Sequence, residues 1–224
     1  MKKILLFIVF LIFSTNANSH TDHYKKISKI ELEILKDGKT IGFCNYDFIH
    51  SKNTMEVHNN TEFEVEIFGV KVFFISSKAI EKYKDNQLIY FESKTQQNKK
   101  KKYVNLKLED EEYIIDGSSY KGKAPVDYLL GTWWNHSIVK APAQISAVSG
   151  RIIKQKVTFL GKKNIKIQNK SYNTLHFKFS STDKKLDKDK KLNTEVWYDE
   201  ETLNWVKATF EKSGKWEYKL VSIK

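Results

Sequence analysis

The chain has little cysteine, proline or arginine. Cys44 is the one cysteine in 224 residues, so no intramolecular disulfide can form. A domain of this length does not need one, because disulfides chiefly rescue small domains with too little core. The two prolines, Pro125 and Pro142, both fall between residues 119 and 150. The rest of the chain is therefore free of the residue that cannot donate to a sheet ladder. Arg151 is the single arginine among 39 basic residues. Base edges and bidentate phosphate contacts favour the guanidinium fork, so the net charge of +12 is not read as a nucleic-acid footprint. No apolar run reaches the ~20 residues a membrane-spanning helix needs. GxSxG, HExxH, P-loop and CxxC patterns are all missing, which makes an enzyme the less favoured reading without excluding one.

What is present begins with a leader. Lys2 and Lys3 form a basic start, Ile4 to Phe13 an unbroken apolar run, and residues 14–19 a small, polar stretch. This is the layout of a signal peptide over 1–19, cleaved before His20 or after Ala17. The expectation is an exported, periplasmic domain over 20–224, long enough for one sizeable core.

That domain reads as β-strands. Ile30, Leu32 and Ile34 alternate, and Lys36-Asp37-Gly38-Lys39 follows as a hairpin turn. A period of two continues through Met55, Val57, Phe63 and Val65, and again through Val104, Leu106 and Leu108. Ala79 to Asp85 fits either a helical turn or a strand. Pro125 near a start and Gly131 at an end predict one short helix near 124–131. Alternation resumes at Ile153 and breaks at Gly161-Lys162-Lys163-Asn164. It continues through Leu175, Phe177 and Phe179, then Thr194, Val196 and Tyr198, and closes with Trp216, Tyr218 and Leu220. Ten or more short strands joined by tight turns curl or close. The fold class is all-β, mainly antiparallel: a curled meander sheet or barrel, with residues 119–150 crossing one end or lining the concave face.

The last third carries a pattern. Val196-Trp197-Tyr198-Asp199 is followed by Leu203, Val206, Lys207 and Phe210, then by Glu217-Tyr218 and Leu220. Together with Gly42, Thr132-Trp133-Trp134 and Gly150, it resembles an uncharacterised family of exported Gram-negative proteins, a domain of unknown function. Families of this kind are similar to LolA-type periplasmic carriers, curled sheets that hold lipid chains. The resemblance implies no activity. Tyr83 stands where it would place a tryptophan.

Trp133 and Trp134 either line a pocket mouth or plug one end of the barrel, since aromatics supply much core area. The expected contacts to an apolar, lipid-like ligand are Trp133, Trp134, His136, Phe177 and Phe179. No cofactor, metal or catalytic residue is assigned, and oligomeric state is not legible. His136 has no partner set by spacing, and His50 and His58 lack a third ligand. His20 near a free amine could take Cu(II) or Ni(II) if cleavage follows Ala17. Cys44 in a strand reads as a small buried residue. The acids of 109–112 and 199–201 read as solvated turns. The run Lys99 to Lys102 reads the same way, although peripheral contact with an anionic membrane surface is the alternative partner for the lysines.

Overall fold

The computed structural model describes residues 22–187 and 190–224. The leader at 1–19 and the metal site suggested at His20 lie outside the described residues, as does the side chain of His23.

Hairpin turns set the architecture. Asp37-Gly38, Phe68-Gly69, Asp85-Asn86 and Asp110-Glu111 each have two successive positive φ values. Such two-residue turns match the twist of paired strands. They join β1 (Lys29–Lys36) to β2 (Lys39–His50), β3 (Thr54–Ile67) to β4 (Val70–Lys84), β4 to β5 (Gln87–Gln97), and β6 (Lys100–Glu109) to β7 (Glu112–Gly117). β8 (Lys121–Pro125) ends this half. The other half comprises β9 (Leu129–Leu130), β10 (Ala143–Ile145), β11 (Ile152–Ile167), β12 (Lys170–Ser181), β13 (Asn193–Asp199), β14 (Trp205–Glu211) and β15 (Lys215–Ile223). Two 3-10 turns, Asp22–Lys26 and His136–Lys140, complete the described elements.

All fifteen strands among the described residues form one sheet, in the order β8 down to β1, then β15 down to β9. First and last strands pair, Ile30 with Ile223 through Lys36 with Trp216. The two edges, β8 and β9, are neighbours in sequence but not in the sheet, so the curl stays open at a seam. Every pairing is antiparallel except β9 with β10. Residues 146–150 bridge the seam from inside. Ser119 N donates to Ser149 O at 2.9 Å, and Ser93 Oγ donates to Ala147 O at 2.5 Å. Gly117 permits this approach, because a Cβ there would meet Ser149 O at 2.6 Å.

The core lies on the concave face. Ile30, Leu32 and Ile34 are buried, as are Val104, Leu106, Tyr113 and Ile115. A one-residue slip would turn each set to solvent, so burial holds the register.

Two expectations change in detail, and one open reading resolves to strand. There is no helix at 124–131: Pro125 ends edge strand β8, where its missing N–H costs little, and Leu129 and Leu130 pair with Gln144 and Ile145. Residues 161–164 are not a turn, because β11 runs through them with a bulge between Phe159 and Gly161. Residues 79–85, left open between helix and strand, form the end of β4 and its turn.

Candidate functional site

Residues 132–134 run through the interior outside any strand, so their carbonyls need donors. Three tyrosines supply them. Tyr46 of β2 donates to Thr132 O at 3.2 Å and Tyr198 of β13 to Trp133 O at 3.0 Å. Tyr24, from the first 3-10 turn, donates to Trp134 O. Burial pushes all three phenols upward, so they stay protonated and keep donating.

The Trp134 side chain is fully buried. Tyr24, Phe48 and Tyr83 meet its ring edge-on, with centroids 5.0, 5.2 and 5.7 Å away, a favoured aromatic geometry. Its Nε1 donates to Glu81 Oε1 at 3.0 Å. Tyr83 donates to Glu81 Oε2 at 2.6 Å. Glu81 has no exposed surface. Burial carries its carboxyl up to about 7, although bonds from Tyr83, Trp134 and Thr132 favour the charged form.

Next to this cluster a cleft of about 170 Å³ opens beside the seam. The β4–β5 turn, Tyr113 of β7 and the stretch from Val126 to Ser137 enclose it. Leu88, Val126 and Leu129 give apolar wall, while Gln87, Thr132 and Asn135 give hydrogen-bonding groups. Gln87 Nε2 donates to the Tyr113 hydroxyl at 2.7 Å, which leaves that hydroxyl its own proton to give. Burial takes the Tyr113 phenol to about 12. Tyr83 and Thr132 belong to both the cleft wall and the Glu81 cluster. A cavity near 150 Å³ holds a benzene-sized guest, so this volume suits one ring or a short alkyl segment rather than a two-chain lipid.

The five residues expected to touch ligand divide into two groups. Trp134 turns to Glu81. His136, with centroids 4.7 Å from Tyr198 and 6.0 Å from Phe177, sits on the other side of the segment. Phe177 is half-buried against Phe159, and Phe179 is fully buried. Trp133 is half-buried between Trp205 and Tyr218, and its Nε1 has no hydrogen-bond partner among the described residues. None of the five lines the cleft, although Thr132 and Asn135 flank the tryptophan pair. His50 binds Ile27 O at 2.8 Å and His58 lies by Glu56, so the two histidines do not converge. Cys44 is buried, accepts from Thr61 at 3.1 Å, and is pushed upward by burial. Among the described residues no three His, Cys, Asp or Glu side chains are grouped to hold a metal ion.

Glu81, Gln87 and Tyr113 were not singled out from the sequence. A signal did exist: Ala79, Glu81 and Tyr83 share one strand face, which puts a carboxylate on an inward row.

A family model described as a domain of unknown function, DUF6134, matches residues 32–221. The resemblance to an uncharacterised family is met by that match. No curated protein matches the chain. Among solved structures, the fold is similar to a β-barrel-like protein of the domain-of-unknown-function family DUF1849 from Brucella abortus. There the TM-score is 0.60 at 11% identity, over 88% of this chain and 96% of that one. A protein with a YmcC-like fold from Bacteroides fragilis aligns with a TM-score of 0.37 at 10% identity, over 88% and 94%.

Proposed function

We propose that this chain, which belongs to the DUF6134 family, is a non-enzymatic binding or carrier protein that takes one apolar chain or ring in the seam cleft. The cleft itself carries the reading. It lies where the sheet fails to close, and it joins an apolar wall of Leu88, Val126 and Leu129 to the polar side chains of Gln87, Thr132 and Asn135. Binding sites typically combine apolar lining with a few placed polar groups. The tail of a lipid-like molecule would lie on the leucines and its polar end on the amides. Were residues 131–140 to move aside, Trp133, Trp134, His136, Phe177 and Phe179 would meet a ligand in a larger chamber than the present cleft. The leader read at 1–19 supports export to the periplasm, where such a carrier would work.

Native mass spectrometry of protein prepared from the periplasm, followed by solvent extraction, tests the reading. A co-purifying mass that is lost in Leu129→Trp, which fills the cleft, is the expected result. A ligand-free mass together with no uptake of a fluorescent fatty acid would overturn it. Retention in Leu129→Trp but loss in Phe177→Ala would move the site to the larger chamber.

A further inference from the structure

The β3–β4 hairpin ends in an apolar tip. Ile67 is 54% exposed, Phe68 102%, Val70 63% and Val72 45%. β3 loses its β2 partner after Phe63, and β4 meets β5 only from Ile75. Residues 64–73 therefore pair only with one another, a flap anchored to the core by Val65 and Phe73 and exposed over residues 66–72, roughly 10 Å beyond that anchor at ~3.3 Å per residue. Phe68 holds a positive φ of 51° at the turn, a conformation that favours glycine, asparagine or aspartate. Neither folding nor the turn calls for phenylalanine here. Contiguous exposed apolar groups of this kind mark contact sites.

Positive charge collects at the same end of the sheet. The β5–β6 turn sits at the base of the flap, where Asn98 N donates to Phe74 O at 3.0 Å. Lys99, Lys100 and Lys101 are exposed there and form no ion pair among the described residues. Lys102 is pulled below the usual lysine range by burial and then by the charges of Lys100, Arg151 and Lys212. Three separate connections thus bring cations together at one rim. Within the flap, Glu64 is paired with Lys71, and exposed Glu66 sets one negative charge against the several cations of the rim.

We propose that this end docks on an anionic lipid bilayer, with Phe68, Ile67 and Val70 entering the headgroup–acyl boundary and the rim lysines meeting lipid phosphates. Charge complementarity selects the occupant. A second copy would bring like-charged rims together, and an apolar protein partner would leave the lysines unmatched. A phosphate layer with hydrocarbon beneath satisfies both halves of the surface. The docking end is built from residues outside the seam cleft, so this inference does not depend on the carrier reading.

Co-sedimentation of the mature protein with vesicles of phosphatidylcholine, with and without phosphatidylglycerol, tests it. Binding should require phosphatidylglycerol and weaken as added salt shortens the screening length. The Phe68→Ser/Val70→Ser variant should lose about tenfold in affinity, and Lys99→Glu/Lys101→Glu a comparable factor. All four side chains are exposed, so an unchanged circular dichroism spectrum is expected and separates binding from folding. Failure to bind phosphatidylglycerol vesicles overturns the proposal, as does equal binding to phosphatidylcholine alone or binding unchanged by the tip substitutions. Tip-dependent self-association without vesicles would assign the surface to a second copy and overturn it too.

Discussion

The Trp134 indole donates to the Glu81 carboxylate at 3.0 Å, with both side chains fully buried. One residue comes from strand β4 and the other from the irregular segment 53 positions later. The bond fastens that segment to the sheet behind the seam cleft. A buried carboxyl costs folding energy in its charged form, and the hydrogen bonds offset only part of this cost.

Glu81 therefore makes stability depend on pH in the unusual direction. Its folded pKa of about 7 lies above the ordinary 4.5. The folded state holds this proton more tightly, so the contribution is fully present below 4.5 and is lost as pH rises to about 7. Glu81→Gln removes the titration. The variant should gain roughly 2 to 3 kcal/mol on the wild type between pH 5 and pH 8. Urea melts of both proteins at the two values check it; parallel pH profiles would show that Glu81 ionises freely.

The two adjacent tryptophans should differ in cost. Trp134→Ala empties a site packed by Tyr24, Phe48 and Tyr83 and leaves Glu81 short of a donor, so about 4 kcal/mol is expected. Trp133→Ala removes a half-buried ring whose Nε1 has no partner among the described residues, and about 2 kcal/mol is expected. Guanidinium unfolding measures both. Equal losses would mean that the segment is held mainly by its backbone.

The backbone bonds have their own test. Tyr198→Phe leaves the Trp133 carbonyl without its 3.0 Å donor while keeping the ring that packs on His136. A loss of ~1 to 3 kcal/mol is the ordinary cost of a stranded buried acceptor. Adding Tyr46→Phe should cost less than the sum of the two, because both hydroxyls hold one short segment. Strict additivity in the double variant would mean that the two bonds act independently.

Sheet residues with one buried face were legible because period-two alternation records burial directly: Ile30, Leu32 and Ile34 all face the core. The segment at 124–131 misled because proline at an edge strand and glycine after a leucine pair mimic helix ends. Gly161 looked like a turn because a bulge within a strand uses the same residue. Glu81 escaped notice since Ile80 and Ala79 make both faces of its strand look apolar. The cleft was the least legible. Gln87, Tyr113 and Leu129 come from three separate stretches and meet only because the meander returns its two edges to one seam.

Glu217 gives the opposite electrostatic case on β15. Lys215, Lys207 and Lys219 approach its carboxylate at 2.9, 3.3 and 3.7 Å. Burial raises its pKa, but the bond from Lys215 and the charges of the other two lysines together hold it below the ordinary range. Its stabilisation is present above pH 4.5 and is lost as pH falls through the lowered folded value. Glu217→Gln leaves three cations around a neutral amide. At pH 8 it should destabilise by about 1 kcal/mol, reduced from a fully buried pair by the solvent reaching the lysines. Added salt should recover part of that loss by screening the lysines from one another. Glu81→Gln thus gains on the wild type as pH rises to 8, whereas Glu217→Gln stays below it there. Melts of the two variants at low and moderate salt decide it, and a salt-insensitive loss at 217 would place its role in packing rather than charge.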